Sequence, residues 1–292
     1  MEGILIINKP KGYTSQDVVS KVKKILNVKK VGHTGTLDPL ATGVLPIMIG
    51  NYTKLSKYLI EHDKTYLARI KLGEKRDTGD EEGKIIETRE VLQDNLDKEK
   101  IERVLKSFCG RQKQIPPMYS AIKVNGKKLY EYAREGKKVE IPEREIEIYN
   151  IKLKNINSEK KEIEFEVNCS KGTYIRVLCE NIAECLGTIG YMSFLKRIRV
   201  DRFVINKAIT LEELEKNSDN KVFLEENLIN MDEIFKELPY IVLNNRKKEL
   251  FLNGVMLTFE EKDGLYNIYN NEIYLGTGII KNNLLKRDVI IG

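Results

Sequence analysis

Residues 32–43 read Gly32-His33-Thr34-Gly35-Thr36-Leu37-Asp38-Pro39-Leu40-Ala41-Thr42-Gly43. Three glycines, a proline and little periodicity mark this stretch, on to about residue 50, as a loop with one helical turn at most. Patterned segments flank it. Residues 3–8 form a short apolar run, read as a buried strand that Pro10 and Gly12 end. A helix follows, capped by Thr14 or Ser15, with Val18, Val22, Ile25 and Leu26 at helical spacing. Past the loop, Tyr66, Ala68, Ile70 and Leu72 alternate as in a half-buried strand over 64–72, and residues 74–83 read as a surface turn. Helices are expected from Leu96 or Asp97 to Phe108 and from Tyr174 to Leu186, where Gly187 stops the second. Strands are expected around Ile146 and Ile148 and from Ile163 to Cys169. Mixed strands and helices without a regular βαβ alternation predict an α+β fold.

The totals set outer bounds. A chain of 292 residues, 41% apolar, fills one large domain, or one with a small companion. Near residues 217–240 the pattern weakens, and Leu238-Pro239 reads as a linker. Beyond it come a short helix ending at Gly254 and several short strands that turn at Asn270-Asn271. The net charge of +6 suits a nucleic-acid partner without establishing one. Four cysteines without a C-x-x-C pair, and two histidines, make a zinc site an unsuitable reading. The first residues lack the basic start of a signal peptide, and no apolar run reaches the ~20 residues that span a bilayer. A soluble, cytoplasmic protein without a membrane partner is expected.

Two basic regions invite attention. Lys21, Lys23 and Lys24, with Lys29 and Lys30 just beyond, form either a stripe facing RNA or a solvated helix face. Residues 111–142 look irregular and too long for an ordinary connection. Pro116-Pro117 opens this segment, and Lys123, Lys127, Lys128, Arg134, Lys137 and Lys138 interleave with Tyr130 and Tyr132.

Among residues able to do chemistry, Asp38 stands on the Gly-rich loop. Its plainer reading is a helix N-cap with Pro39 as the first helical residue. Pro39 also keeps Asp38 out of the α region, so the carboxylate rests on irregular backbone. Arg176 falls in the first turn of its helix, where the dipole disfavours a cation. It is either a tolerated surface residue or a cation aimed at a carboxylate or phosphate. Tyr66, Tyr174, His33 and Leu195 each have an ordinary packing or loop role open to them. No G-x-x-x-x-G-K or G-x-G-x-x-G pattern occurs in the stretch around Asp38.

Taken together these residues resemble a family. Ile7-Asn8-Lys9-Pro10-Lys11-Gly12-Tyr13-Thr14-Ser15 is similar to the first motif of the TruB pseudouridine synthases, and residues 32–46 resemble their catalytic motif. Lys64-Thr65-Tyr66, Asp77-Thr78-Gly79-Asp80, the run from Gln114 to Ala121, and the run from Cys169 to Arg176 follow in the family's order. The resemblance spans residue 3 to about 205. It implies a catalytic domain over 1–237, built on a mixed, mainly antiparallel sheet flanked by helices, with 111–142 as an insertion that grips RNA. It further implies a PUA-like RNA-binding β domain over 238–292. The implied roles are Asp38, Tyr66 and Arg176 in catalysis, and His33, Tyr66, Tyr174, Leu195 and Lys9 in substrate binding.

The implied reaction converts uridine 55 in the T arm of tRNA to pseudouridine, with help to tRNA folding as a further role. Breaking N1–C1′ and joining C5 to C1′ moves only protons, so no cofactor or metal is expected. Nor is a protein partner, and a monomer is expected. Two rivals frame the test. A guide-RNA-directed synthase would carry extended basic tails, which this compact chain does not show. A non-catalytic RNA binder or chaperone would have no need of the Asp38, Tyr66 and Arg176 set.

Overall fold

The computed structural model describes residues 1–59, 62–137 and 139–291. Its main body is a sheet of nine strands among the described residues. These are β1 (Gly3–Lys9), β2 (Val31–His33), β3 (Thr42–Ile49), β4 (Lys64–Leu72), β5 (Gly110–Gln114), β6 (Arg144–Asn157), β7 (Glu162–Cys169), β8 (Gly190–Val200) and β9 (Phe203–Val204). They run in the order β1-β3-β8-β4-β7-β6-β5, with β2 paired to β3 and β9 to β8. Every pairing is antiparallel except β3 with β8. The main helices are α1 (Ser15–Ile25), α2 (Lys98–Ser107) and α3 (Ile175–Cys185). The fold is α+β.

Three stretches differ from their sequence reading. Residues 42–49 are the buried strand β3, and the turn at Pro39-Leu40 starts no helix, so Asp38 is no N-cap. Strand β3 is covered on both faces: Val44 and Met48 pack in one apolar cluster, Leu45, Ile47 and Ile49 in another. Such a strand shows no alternation to read. Its Pro46 is tolerated because β8 pairs only at Thr42 and Gly43, and β2 only from Ile47 to Ile49. In the gap between them the Pro46 carbonyl accepts the Thr34 N–H at 3.3 Å, and no strand there requires a Pro46 N–H.

Residues 111–114, read as the start of an irregular segment, belong to the edge strand β5. The inserted part that follows has its own hairpin, Lys123–Val124 with Lys127–Lys128, and the helix Leu129–Arg134. Lys138 lies outside the described residues. Finally, residues 74–83, read as a surface turn, begin with the strand Glu74–Arg76, which pairs with Ile85–Thr88.

A separate five-stranded sheet occupies the C-terminal part, built from Tyr240–Val242, Leu257–Thr258, Gly264–Asn270, Ile273–Lys281 and Leu284–Ile290. Its own core holds Leu243, Phe251, Ile268 and Leu285. It docks on the main body through Val289 and Tyr274, which join Tyr58, Met231 and Phe235 in one apolar cluster. A buried carboxylate seals the junction. Asp288 accepts from Tyr58 Oη at 2.5 Å and Thr277 Oγ1 at 3.0 Å, and pairs with Lys57. Asp288→Ala is expected to cost about 1–3 kcal/mol from the donors left unsatisfied. Limited proteolysis should then cut sooner near residues 236–240, and unchanged protection there would show that the apolar contact alone holds the junction.

Candidate active site

The loop before β3 is clamped from two sides. Ser15 Oγ, 2% exposed at the start of α1, accepts the Leu37 N–H at 2.9 Å and donates to Leu37 O at 3.2 Å. On the other side of Asp38, Pro39 O accepts from the Gly12 N–H at 2.9 Å and from Lys9 Nζ at 3.1 Å. The segment Lys9–Ser15 therefore holds the backbone of Leu37 and Pro39, the residues on either side of Asp38. The Ala41 N–H closes a turn on Asp38 O at 3.0 Å.

Asp38 faces a cavity of about 500 Å³, within the usual size of a ligand site. Tyr66, Tyr174, Arg176, Leu195 and Arg197 line it too, with Tyr119, Ser120 and Tyr130 from the insertion. Of the residues expected at the site, five meet here: Asp38, Tyr66, Tyr174, Arg176 and Leu195. His33 and Lys9 do not line the cavity. His33 is half-buried at the end of β2, and its Nδ1 accepts the Gly35 N–H at 3.2 Å. Burial and the nearby Arg197 cation hold its pKa below the ordinary value. Lys9 is fully buried, and three backbone carbonyls, of Pro10, Tyr13 and Pro39, take its donors. Burial pushes its pKa down to about 8, although Asp38 pulls the other way.

Arg176 is the hub. Its Nε lies 3.1 Å from Asp38 Oδ2 and its Nη1 3.5 Å from Asp80 Oδ2. Nη1 also donates to Thr78 O at 3.1 Å, and Nη2 to Tyr119 O at 2.9 Å. The side chain is 7% exposed. The position that looked unfavourable for a cation is thus offset by two carboxylates and two carbonyls. Burial pushes the Asp38 carboxyl above its ordinary value, Asp80 adds to this, and Arg176 and Lys9 oppose it.

Two residues here were given no role by the sequence reading. Asp80, 5% exposed, is bound by Thr78 Oγ1 at 2.6 Å and by the Glu82 N–H at 3.2 Å, which orients it towards Arg176. Arg197, 2% exposed, donates from Nε to Val44 O at 2.8 Å and from Nη2 to Gly35 O at 3.2 Å. It stands opposite Tyr66 across the β8–β4 ladder, with its charge beside the Tyr66 hydroxyl. Burial raises the Tyr66 pKa while Arg197 lowers it. A cation two residues after Leu195, on the same face of a strand, was the available signal. Gly43 makes the crossing possible: a Cβ there would lie 2.2 Å from Arg197 O.

No group of three or more His, Cys, Asp or Glu side chains is placed to hold a metal ion among the described residues. No helix there is long and apolar enough to cross a membrane.

An ion pair of carboxylate and guanidinium thus faces a cavity beside a buried tyrosine on this mixed sheet, where the resemblance led one to expect a pseudouridine synthase site. Residues 23–175 match the family model described as TruB family pseudouridylate synthase, N-terminal domain. Residues 176–236 match the tRNA pseudouridylate synthase B C-terminal domain. A relative named tRNA pseudouridine synthase B from Alkaliphilus oremlandii is 45% identical, over 97% of this chain and 94% of the relative. One of the same name from Bacillus subtilis is 44% identical, over 90% and 85%. Among solved structures, a chain of a Cbf5-Nop10-Gar1 complex superimposes with a TM-score of 0.70 at 25% identity, covering 99% of this chain and 83% of that one. The chain belongs to the TruB family of pseudouridylate synthases and is an isomerase of that class.

Proposed function

We propose that this enzyme converts uridine to pseudouridine at position 55 in the T arm of tRNA, without a cofactor, and that it also assists tRNA folding. The Asp38–Arg176 ion pair facing the cavity carries the reading. The shared name of relatives at 40–45% identity supports tRNA as the substrate. To reach Asp38 the uridine leaves its stack, which costs a few kcal/mol. Tyr66 offers the extruded base a face, and Leu195 and Tyr174 close the pocket around it. Arg176 keeps the Asp38 carboxylate ionised and oriented against the pull of burial. Ionised Asp38 then attacks the base or the ribose, or removes a ribose proton, and Tyr66 takes the C5 proton late in the reaction. His33 stands at the end of β2 to enter the RNA loop. The test is to incubate the pure protein, without added cofactor, with an unmodified tRNA transcript and map pseudouridine. Failure to modify position 55 would overturn this assignment.

The proposed organisation is a catalytic domain over 1–237 and an RNA-binding domain over 238–292, with the insertion acting as a grip. Lys128 Nζ and the Arg134 guanidinium each lie 5.3 Å from the Tyr130 ring centre, and Tyr130 lines the cavity. Aromatic faces and cations of this kind hold single-stranded nucleic acid. Deleting residues 124–140 removes none of the nine strands of the main sheet. The shortened protein is expected to fold, as circular dichroism would report, and to bind tRNA far more weakly. Unchanged affinity and turnover would reduce the insertion to a surface loop.

A further inference from the structure

Helix α1 ends in a turn that folds the chain back on itself. Asn27 takes a left-handed conformation with φ of 50°, and the Val28 N–H donates to Lys23 O at 3.3 Å. Beyond the turn, the Gly50 N–H fixes Lys30 O at 2.9 Å. The result gathers Lys23, Lys29 and Lys30 around a hollow of about 430 Å³, floored by Val19, Val31 and Thr53. A second hollow adjoins it and shares Lys29 and Lys30. Lys23, Lys24, Lys29 and Lys30 are exposed, and among the described residues none of them has an acidic side chain within 4 Å. Lys21, on the same helix, differs: Glu215 holds it at 2.7 Å. The neighbouring Glu2 carboxylate is already taken by the Asn51 backbone and side-chain N–H groups.

Complementing the dipole at the end of α1 accounts for Lys23 and Lys24. It does not account for Lys29 and Lys30, which stand outside the helix, nor for a hollow shared by lysines from both sides of the turn. Two elements tie this hollow to the active site. Thr14, the cap of α1, lines the Asp38 cavity, and Lys23 lies near the far end of that helix. Gly35 also lines the cavity, and Val31, four residues earlier through β2, floors the hollow. The nine residue steps from Thr14 to Lys23 span about 14 Å along the helix, and the four from Val31 to Gly35 at most about 13 Å. Both paths place the hollow at a similar remove, about four stacked nucleotides at ~3.4 Å each.

We infer that Lys23, Lys29 and Lys30 form a second RNA contact, a dock for the phosphodiester backbone of the same RNA a few nucleotides from the uridine in the active site. The inference rests on the RNA substrate proposed above. Phosphate contacts of this kind set register without reading sequence, so the dock serves binding and positioning and leaves the chemical step alone.

The test measures binding of a tRNA transcript across a salt series for Lys29→Gln/Lys30→Gln and for the triple variant that adds Lys23→Gln. Removing one lysine–phosphate pairing should lower the slope of log affinity against log salt by about 0.7–0.9, so the triple variant should fall by about 2–3. Its single-turnover rate at saturating tRNA should match the wild type. A control triple, Lys98→Gln/Lys100→Gln/Lys154→Gln, removes lysines that already have acidic partners and should leave the slope unchanged. All three dock lysines are exposed, so the melting temperature should hold. Should Lys23→Gln disturb the helix, the Lys29/Lys30 pair outside it still gives the answer. Unaltered slope and affinity, or an equal fall in the control, overturns the dock. A wild-type protein that binds tRNA but forms no pseudouridine overturns the substrate reading instead, and the two failures are read in separate assays.

Discussion

Asp38→Asn, and equally Asp38→Ala, should form no measurable pseudouridine at any enzyme concentration while binding tRNA close to normally. The side chain is replaced on a backbone held independently of it, by Ser15 on Leu37 and by Gly12 and Lys9 on Pro39. The loop should keep its shape and lose only its carboxylate. Stability provides the control. Because burial raises the Asp38 pKa in the folded state, the folded protein holds this proton more tightly than the unfolded chain does. The contribution is therefore unfavourable once pH has risen through the folded value, and a neutral amide removes that cost. Arg176 retains Asp80, Thr78 O and Tyr119 O, so it is not stranded. The melting temperature of Asp38→Asn is expected to hold or rise. The same shift sets the acid limb of the wild-type pH–rate profile: activity needs ionised Asp38 and falls as pH drops through a value above the ordinary carboxylate value of about 3.9. Turnover by cleanly purified Asp38→Ala, or an acid limb at the ordinary value, contradicts the role given to this carboxylate.

The parts of the fold that could be read ahead are those with one covered face. Strand β4 alternates because Ala68, Ile70 and Leu72 are buried between half-exposed residues. α1 and α3 show their apolar stripes for the same reason, and Thr14 caps α1 through the Asp17 N–H. Strand β3 was illegible because both its faces are covered and its Gly43 and Pro46 mimic a loop. The edge strand β5, Gly110-Arg111-Gln112-Lys113-Gln114, is polar throughout, and only pairing with β6 makes it a strand. At the site, the family motifs brought Asp38, Tyr66 and Arg176 forward. The burial of Lys9 under three carbonyls is a property of the packed chain that they do not carry. Nor did they give Asp80 a role beside Arg176, although the motif that holds it was among those matched.

Arg176→Met should lower turnover by orders of magnitude and, unlike Asp38→Asn, should also destabilise the protein. The two effects have different origins. Asp38 keeps 38% of its side-chain surface, so water compensates part of its charge when the guanidinium goes. Asp80 keeps 7% and would be left in the interior with only Thr78 Oγ1 and the Glu82 N–H. Breaking a buried pair from one side typically costs about 3–5 kcal/mol, and Asp80 is the partner to which that cost applies. Turnover falls because Asp38, without the cation at 3.1 Å, loses its fixed orientation and the charge that opposes the upward shift of its pKa. Arg176→Lys keeps the charge but cannot reach four acceptors from one ammonium, so it should recover only part of either effect. The decisive comparison is the double variant Arg176→Met/Asp80→Asn. Removing the stranded charge should return most of the lost stability, measured by denaturant melts. It should return none of the turnover, since Asp38 still lacks its guanidinium. If turnover and stability recover together, Arg176 acts on catalysis only by holding the fold. If Arg176→Met turns over like the wild type, the ion pair with Asp38 has no part in the reaction.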